Sequence, residues 1–131
     1  MGSQYEGRYE KINGIKMYYF EVGSGYPILL IHGGLGTGGM HWATLIPLLE
    51  QKYRLIVPDS RGHGRSENPL GKLGYKMMAN DYIGLIRKLN LRKPIIIGFS
   101  DGGEIALYLG SQYSDEIGAI IITGVTAKFE E

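Results

Sequence analysis

The stretch that decides the fold is Pro94-Ile-Ile-Ile-Gly-Phe-Ser-Asp-Gly-Gly-Glu-Ile-Ala-Leu107. An apolar, β-branched run ends in Gly98-Phe99-Ser100-Asp101-Gly102, named the Ser100 turn, and continues directly into a helix-like pattern. We predict a strand, a tight turn with Ser100 at its apex, and a helix. Such a turn lifts a serine hydroxyl clear of the sheet and directs the first helical N–H groups at the group it attacks. The alternative is an ordinary strand-to-helix turn in which Ser100 caps the helix.

The segments on either side of this stretch contain five further predicted strands. Asn13-Gly14 lies between alternating apolar residues within residues 5–22, which predicts two strands joined by a two-residue hairpin turn. Tyr26–Ile31 is apolar throughout, as expected of a strand buried on both faces, and Tyr53–Val57 is a similar run. Residues 118–124 form the last apolar run and predict a sixth strand.

Helical patterns separate the later strands. An apolar stripe at helical spacing predicts a first helix: Trp42, Leu45, Ile46 and Leu49. A second stripe runs from Met78 to Leu89, and a third helix follows Ser100 and ends at Ser114-Asp115. Strands alternating with helices predict right-handed crossovers and a parallel sheet, in this chain preceded by an antiparallel hairpin. We therefore expect residues 1–131 to form a single α/β domain with helices on both faces of the sheet.

Two polar loops follow the third and fourth predicted strands. The first, named the glycine loop, is His32-Gly-Gly-Leu-Gly-Thr-Gly-Gly39, and its small residues allow backbone amides to approach a ligand closely. The second, named the Asp59 loop, is Asp59-Ser-Arg-Gly-His-Gly-Arg-Ser66. Loops at the ends of parallel strands commonly carry function.

With these two loops and the Ser100 turn in this order, the chain resembles the N-terminal half of an α/β-hydrolase. The resemblance covers residues 5–125 and is closest to esterases, carbon–carbon bond hydrolases and amino-acyl ester hydrolases. It implies the strand order 1-2-4-3-5-6. It also implies that Ser100 is the nucleophile and that the Asp101 N–H, with that of Gly34 or Leu35, forms an oxyanion hole.

The same resemblance indicates what the 131 residues do not contain. In this family the acid and the histidine of the triad follow later strands, so we expect both of them, the lid and the C-terminal strands to be absent. Of the histidines present, His63 is the candidate base or ligand. The resemblance implies that His32 supports the glycine loop, and His41 is read as a residue at the start of a helix. Glu130 and Glu131 occupy a position that some relatives use for the acid.

Two further residues are assigned to structure. We expect Asp59 and Arg61 to pair or cap within their own loop, and Asp59 is not interpreted as the triad acid. Trp42 is interpreted as a core residue.

Composition excludes several function classes. The 14 Lys and Arg balance 13 Asp and Glu without a basic block, so we expect neither a nucleic-acid nor a membrane partner and favour a charge-neutral substrate. There is no cysteine, hence no thiol nucleophile or thiolate metal site, and no histidine is spaced for metal binding. We expect no cofactor, no metal and a soluble cytoplasmic protein.

Two hypotheses on function follow. The first is a serine hydrolase of small carboxylic esters, with activity reduced by the absent triad acid and His and with a base supplied by His63, a partner subunit or water. The second is a catalytically incomplete half-hydrolase that self-associates as a structural or binding module. Because the apolar sixth strand would be a free sheet edge, we expect a homodimer or higher oligomer built through it.

Overall fold

The fold is a six-stranded mixed sheet in the order β1-β2-β4-β3-β5-β6, as predicted. It is seen in a computed structural model that describes residues 5–71 and 73–124. The strands of this sheet are β1 Gly7–Ile12, β2 Ile15–Val22, β3 Tyr26–Ile31, β4 Tyr53–Pro58, β5 Ile95–Phe99 and β6 Ala119–Thr123. Strands β1 and β2 are antiparallel, as are β2 and β4, whereas β4, β3, β5 and β6 run parallel.

The hairpin turn is formed by the predicted pair, Asn13 and Gly14, both with positive φ (49° and 83°). These angles suit the tight turns that match the right-handed twist of paired strands. Ile12 and Ile15 consequently face each other across the hairpin.

The helices begin after the strand ends. The helical segments are α1 Gly38–His41, α2 Ile46–Leu49, α3 Tyr75–Lys88 and α4 Asp101–Gln112, with a short 3₁₀ turn at Ser114–Glu116. The first predicted helix is therefore wrong as a continuous element, since it is split into α1 and α2. Pro47 has no N–H to donate to the carbonyl one turn earlier, so a helix running through Trp42–Leu49 would lose a bond.

Both faces of the sheet are covered by apolar side chains. On β3, Leu29 and Ile31 enter the cluster that packs against α3 and α4, while Ile28 and Leu30 enter the cluster that includes Trp42. All four β3 side chains are at most 2% exposed. This double burial confirms the interpretation of β3 as an interior strand, and Trp42, at 4% exposed, is a core residue as expected.

Because parallel strands end at the same edge, the glycine loop after β3, the Asp59 loop after β4 and the Ser100 turn after β5 lie together. This edge is the candidate site.

Candidate active site

Ser100 has an uncommon backbone conformation between β5 and α4, with φ 56° and ψ −116°. A non-glycine residue in this region is strained and persists only where its surroundings enforce it. The Ser100 N–H donates to the Thr123 carbonyl at 3.1 Å, and the Gly103 N–H donates to the Ser100 carbonyl at 2.8 Å. The Ser100 side chain does not cap α4, so the alternative interpretation as a helix cap is not supported.

The glycines of the Ser100 turn make this strained geometry possible. A Cβ at Gly98 would overlap the Gly102 carbonyl, and a Cβ at Gly102 would overlap the Ile31 carbonyl of β3. The turn is thus pressed against both its own backbone and the neighbouring strand. Residues with side chains would force it open.

The glycine loop packs directly on the Ser100 turn. A Cβ at Gly33 would lie 3.1 Å from the Ser100 Cβ, and one at Gly34 would lie 2.5 Å from the Asp101 Oδ2. Leu35 has a positive φ of 58°, and its side chain is 99% exposed. The structure therefore brings Ser100, Asp101 and Gly34 together, with the Leu35 side chain directed into solvent.

The Asp101 carboxylate links α4 to the start of α3. Its Oδ1 accepts a hydrogen bond from the Tyr75 hydroxyl at 2.9 Å. This bond to a carboxylate raises the pKa of Tyr75, because the phenolate would face a negative charge. Asp101 thus has two structural neighbours, Tyr75 on one side and Gly34 on the other.

His32 and His41 contact the glycine loop. The buried His32 accepts the Ser60 N–H on Nε2 at 2.9 Å, and its Nδ1 lies 2.5 Å from the Gly33 carbonyl oxygen. Burial lowers the pKa of His32 to about 4, so the ring is neutral at pH 7. His41 accepts the Gly33 N–H on Nδ1 at 2.9 Å.

His63 turns its Nδ1 to the Arg61 carbonyl at 2.9 Å, and its ring centroid lies 5.2 Å from that of His32. Within residues 5–71 and 73–124, no hydrogen bond joins any of the three histidine rings to the Ser100 hydroxyl. The role of His63 as a base stays a prediction. Glu130 and Glu131 lie outside the described residues.

The Asp59 loop is held by its own side chains. Asp59 accepts the Arg65 N–H on Oδ2 at 3.0 Å, a cap within its own loop as expected, and it also accepts the Gly38 N–H of the glycine loop on Oδ1 at 3.0 Å. The Ser66 hydroxyl donates to the Asp59 carbonyl at 2.6 Å. The Ser60 hydroxyl bonds to that of Tyr82, and burial raises the pKa of Tyr82.

Arg61 differs from the expectation that it pairs within this loop. It forms a two-pronged ion pair with Asp81 of α3, at 2.8 and 3.0 Å, and the two side chains are 4% and 1% exposed. Sequence reasoning missed Asp81. The signal was present, since a charged residue three positions after Met78 lies on the apolar face of α3 and requires a buried partner.

A cavity of about 340 Å³ lies beside the Ser100 turn. The polar groups lining it include His63, Tyr75 and Asp101, and its apolar walls include Met78 and Ile105. The cavity reaches the glycine loop at Gly33 and Gly34, whereas Ser100 itself does not line it. A molecule bound there would adjoin the same loop as the Ser100 turn.

Neither a metal cluster nor a membrane-spanning helix is found in the described part of the chain. Between residues 5 and 124, apart from residue 72, no group of three or more His, Asp or Glu side chains is arranged to hold a metal ion. In the same residues, no helix has both the length and the apolar character required to cross a bilayer.

Comparison with known proteins agrees with this geometry. Residues 26–131 match the family described as the alpha/beta hydrolase fold. A soluble epoxide hydrolase from Corynebacterium sp. (strain C12) is 36% identical over 111 residues, which are 85% of this chain and 38% of that protein. A putative non-heme chloroperoxidase from Synechocystis sp. is 35% identical over 116 residues, 88% of this chain and 42% of that protein.

A solved structure gives the same result. The esterase from Exiguobacterium antarcticum superposes with a TM-score of 0.85 at 33% identity, covering 93% of this chain and 46% of that one. The chain thus spans about two fifths of the length of the epoxide hydrolase and of the chloroperoxidase.

Proposed function

The chain belongs to the α/β-hydrolase fold family, and from this premise we propose that it is a serine hydrolase of small, charge-neutral carboxylic esters with Ser100 as nucleophile. The observation that carries the proposal is the strained Ser100 backbone, φ 56° and ψ −116°, at the start of α4. Strain of this kind is retained at functional sites because it presents a reactive group. A hydroxyl used only to cap the helix would need no such conformation.

In the proposed reaction the Ser100 Oγ attacks the ester carbonyl carbon, its proton passes to a base, and the carbonyl oxygen becomes an oxyanion. The C–O bond to the alcohol then breaks, the alcohol leaves with a proton, and water hydrolyses the acyl-serine to release the acid. The proposed oxyanion donors are the N–H groups of Asp101 and of Gly34 or Leu35. Each such donor is worth about 10²–10³ in rate.

Gly34 is the better supported second donor. A Cβ at Gly34 would meet the Asp101 side chain, so the two N–H groups belong to adjoining segments. Leu35 follows at the exposed side of the loop. The Gly33 N–H is engaged by His41 and is excluded as a donor.

The proposed base is His63. Its Nδ1 is engaged by the Arg61 carbonyl, which leaves Nε2 as the nitrogen that can take up a proton, and the His63 side chain lines the cavity. A partner subunit or a water molecule is the alternative acceptor of the Ser100 proton. A base within hydrogen-bond reach contributes typically about 10²–10⁴ in rate.

The cavity supports a neutral substrate. Its apolar walls suit a small hydrocarbon group, and the Asp101 carboxylate would repel an anionic one. An epoxide is the competing substrate class, since one relative is an epoxide hydrolase.

The test is labelling with a fluorophosphonate probe, which reacts with activated serines. We expect stoichiometric labelling of the wild type, none in Ser100→Ala, and unchanged labelling in the matched control Ser111→Ala, which alters an exposed serine of α4. An unlabelled wild type with a native circular dichroism spectrum would overturn the proposal.

The second candidate function is a module that self-associates through β6. This strand pairs only with β5 among the described strands, and Ile121 and Ile122 are 50% and 36% exposed. An apolar edge strand is a template for pairing with a second copy. Sedimentation velocity should show a dimer that Ile121→Lys dissociates and Leu48→Lys, altering an exposed leucine of α2, does not. A wild-type monomer at micromolar concentration would refute it.

A further inference from the structure

Both polar backbone groups of Gly33 are bonded to imidazole rings. Its N–H donates to the His41 Nδ1 at 2.9 Å, and its carbonyl oxygen lies 2.5 Å from the His32 Nδ1. His32 directly follows β3, and His41 is the last residue of α1. Gly33 is therefore held from two sides, directly beside the Ser100 Cβ.

The hydrogen-bond partners determine the tautomer of each ring. The His41 Nδ1 accepts an N–H and so carries no proton, which places the proton of the neutral ring on Nε2. The His32 Nε2 accepts the Ser60 N–H, which places the His32 proton on Nδ1, facing the Gly33 carbonyl. His32 is the donor and His41 the acceptor in this pair of contacts.

Holding the Gly33 carbonyl also orients the Gly34 N–H. These two groups belong to one peptide plane, and because the described chain contains no cis peptide bond they point in opposite directions. The Gly34 N–H thus points away from His32. A hydrogen bond on the carbonyl polarises the amide and strengthens its N–H as a donor.

His41 also packs inside the turn formed by Gly33–Gly36. A Cβ at Gly36 would overlap the His41 ring, and the ring meets Phe99, the neighbour of Ser100, at a centroid distance of 5.1 Å. The short helix that carries His41 is anchored by the Thr37 hydroxyl, which accepts the Met40 N–H at 3.2 Å. The position of the ring is therefore set by an anchored element.

We propose that His41 is a positioning residue for the oxyanion hole: by accepting the Gly33 N–H it fixes the His32–Gly33 peptide, while His32 holds the following Gly33–Gly34 peptide through the Gly33 carbonyl. The two bonds together fix the backbone of Gly33, so that the Gly34 N–H serves as the second donor. This rests on the proposed function for its catalytic consequence. The two bonds that hold Gly33, from its N–H to His41 and from its carbonyl to His32, are named the clamp, and they are independent of any activity.

The first experiment uses the wild type and needs no substrate. A long-range ¹H–¹⁵N spectrum should show an unprotonated Nδ1 and a protonated Nε2 for His41, and slow hydrogen exchange of the Gly33 amide. The opposite tautomer, or exchange of Gly33 as fast as that of an unbonded loop amide, would overturn the clamp whether or not Ser100 reacts.

The second experiment compares His41→Asn with His41→Gln. The Asn side-chain oxygen can occupy the position of Nδ1, whereas the Gln oxygen reaches only the position of Nε2. In folded protein we expect His41→Asn to keep slow Gly33 exchange and a labelling rate within about threefold of wild type, and His41→Gln to lose both, with labelling slowed about tenfold or more. His41→Phe, which keeps a ring but no acceptor, should behave like His41→Gln.

The outcomes separate the two proposals. An unlabelled wild type with the expected Gly33 exchange refutes the serine hydrolase and leaves the clamp standing. Equal exchange and labelling in the Asn and Gln variants would refute the positioning role, as would an equal kcat of the two variants on a small carboxylic ester that the wild type hydrolyses. A defect confined to KM would equally count against it, because an oxyanion donor acts in the transition state.

Discussion

The Asp59 loop and the Ser100 turn follow β4 and β5, the two strands that flank β3, and they lie at the same sheet edge, yet they are held by different forces. The Asp59 loop is fixed by side-chain bonds, chiefly those of Asp59 and the buried pair Arg61–Asp81. The Ser100 turn is fixed by backbone contacts that only glycines permit. The polar side chains of the Asp59 loop are used up in bonds to backbone groups and to α3, and so support structure, while the Ser100 turn is shaped by close backbone packing and does not use the Ser100 hydroxyl as a helix cap.

The largest effect is expected when the ion pair that holds the Asp59 loop is broken. Asp81→Asn leaves Arg61 as a buried cation without its anionic partner, so the free energy of unfolding should fall by about 3–5 kcal/mol. Urea unfolding measures this, and the apolar double variant Arg61→Met with Asp81→Leu should recover most of the loss. Labelling of the folded Asp81→Asn protein should stay at the wild-type rate; a large decrease would show that the two regions are not separate.

A second prediction concerns His32, which bonds to Ser60 of the Asp59 loop and to Gly33, the glycine-loop residue that packs on the Ser100 turn. Burial lowers the pKa of His32 from 6.5 to about 4, so the unfolded chain binds the proton more tightly than the folded one. The contribution of His32 to the free energy of unfolding is therefore fully present above pH 6.5. It is lost as the pH falls toward 4, by on the order of 3 kcal/mol. Urea unfolding across this range measures the slope. His32→Gln, which keeps every other titrating group, should be less stable at neutral pH and show a shallower slope; an unchanged slope would assign it to other groups.

A third, smaller effect is expected when the backbone packing of the Ser100 turn is disturbed. In Gly98→Ala the added Cβ would overlap the Gly102 carbonyl, a backbone atom that cannot move without opening the turn. We expect a loss of about 1–3 kcal/mol in the free energy of unfolding, together with slower labelling. The matched control is Gly39→Ala in α1, where a Cβ would make only an ordinary contact with Phe20 at 3.6 Å. Equal losses in both variants would contradict the account of the Ser100 turn.

The smallest effect is expected from a side-chain bond next to the Ser100 turn, and it tests whether backbone contacts alone hold that turn. Tyr75→Phe removes the hydroxyl that donates to the Asp101 carboxylate, at an exposed position. If backbone contacts alone hold the Ser100 turn, the free energy of unfolding should change by less than about 1 kcal/mol and labelling by less than about threefold. Thermal unfolding and probe kinetics check both, and a larger decrease in labelling would show that the Asp101 side chain helps to position its own N–H.

Much of the fold could be predicted because local patterns and connection rules agree. Asn13-Gly14 predicts its own turn, and the apolar run at Tyr26–Ile31 predicts burial on both faces, as found. The strand order followed from the resemblance and is confirmed. The prediction of one continuous first helix is wrong because apolar spacing alone does not show that Pro47 lacks the N–H that such a helix needs.

The site was less predictable because its key contacts join residues far apart in the chain. Ser100, Asp101 and Gly34 were predicted as site residues, and the structure places them side by side. Nothing in the spacing of His41 indicated that its ring accepts the Gly33 N–H. The partner of Arg61, in α3, was equally invisible from the loop sequence alone.

The amino-acid sequence by itself determined the alternation of strands and helices and the three loops at one sheet edge, since hydrophobic period, glycine and proline act over a few residues. Only the tertiary structure decided which side chains hold those loops and which groups stay free. The reason is that a buried hydrogen-bond donor or acceptor takes its partner from whatever element packs against it, and that packing exists only once the sheet has assembled.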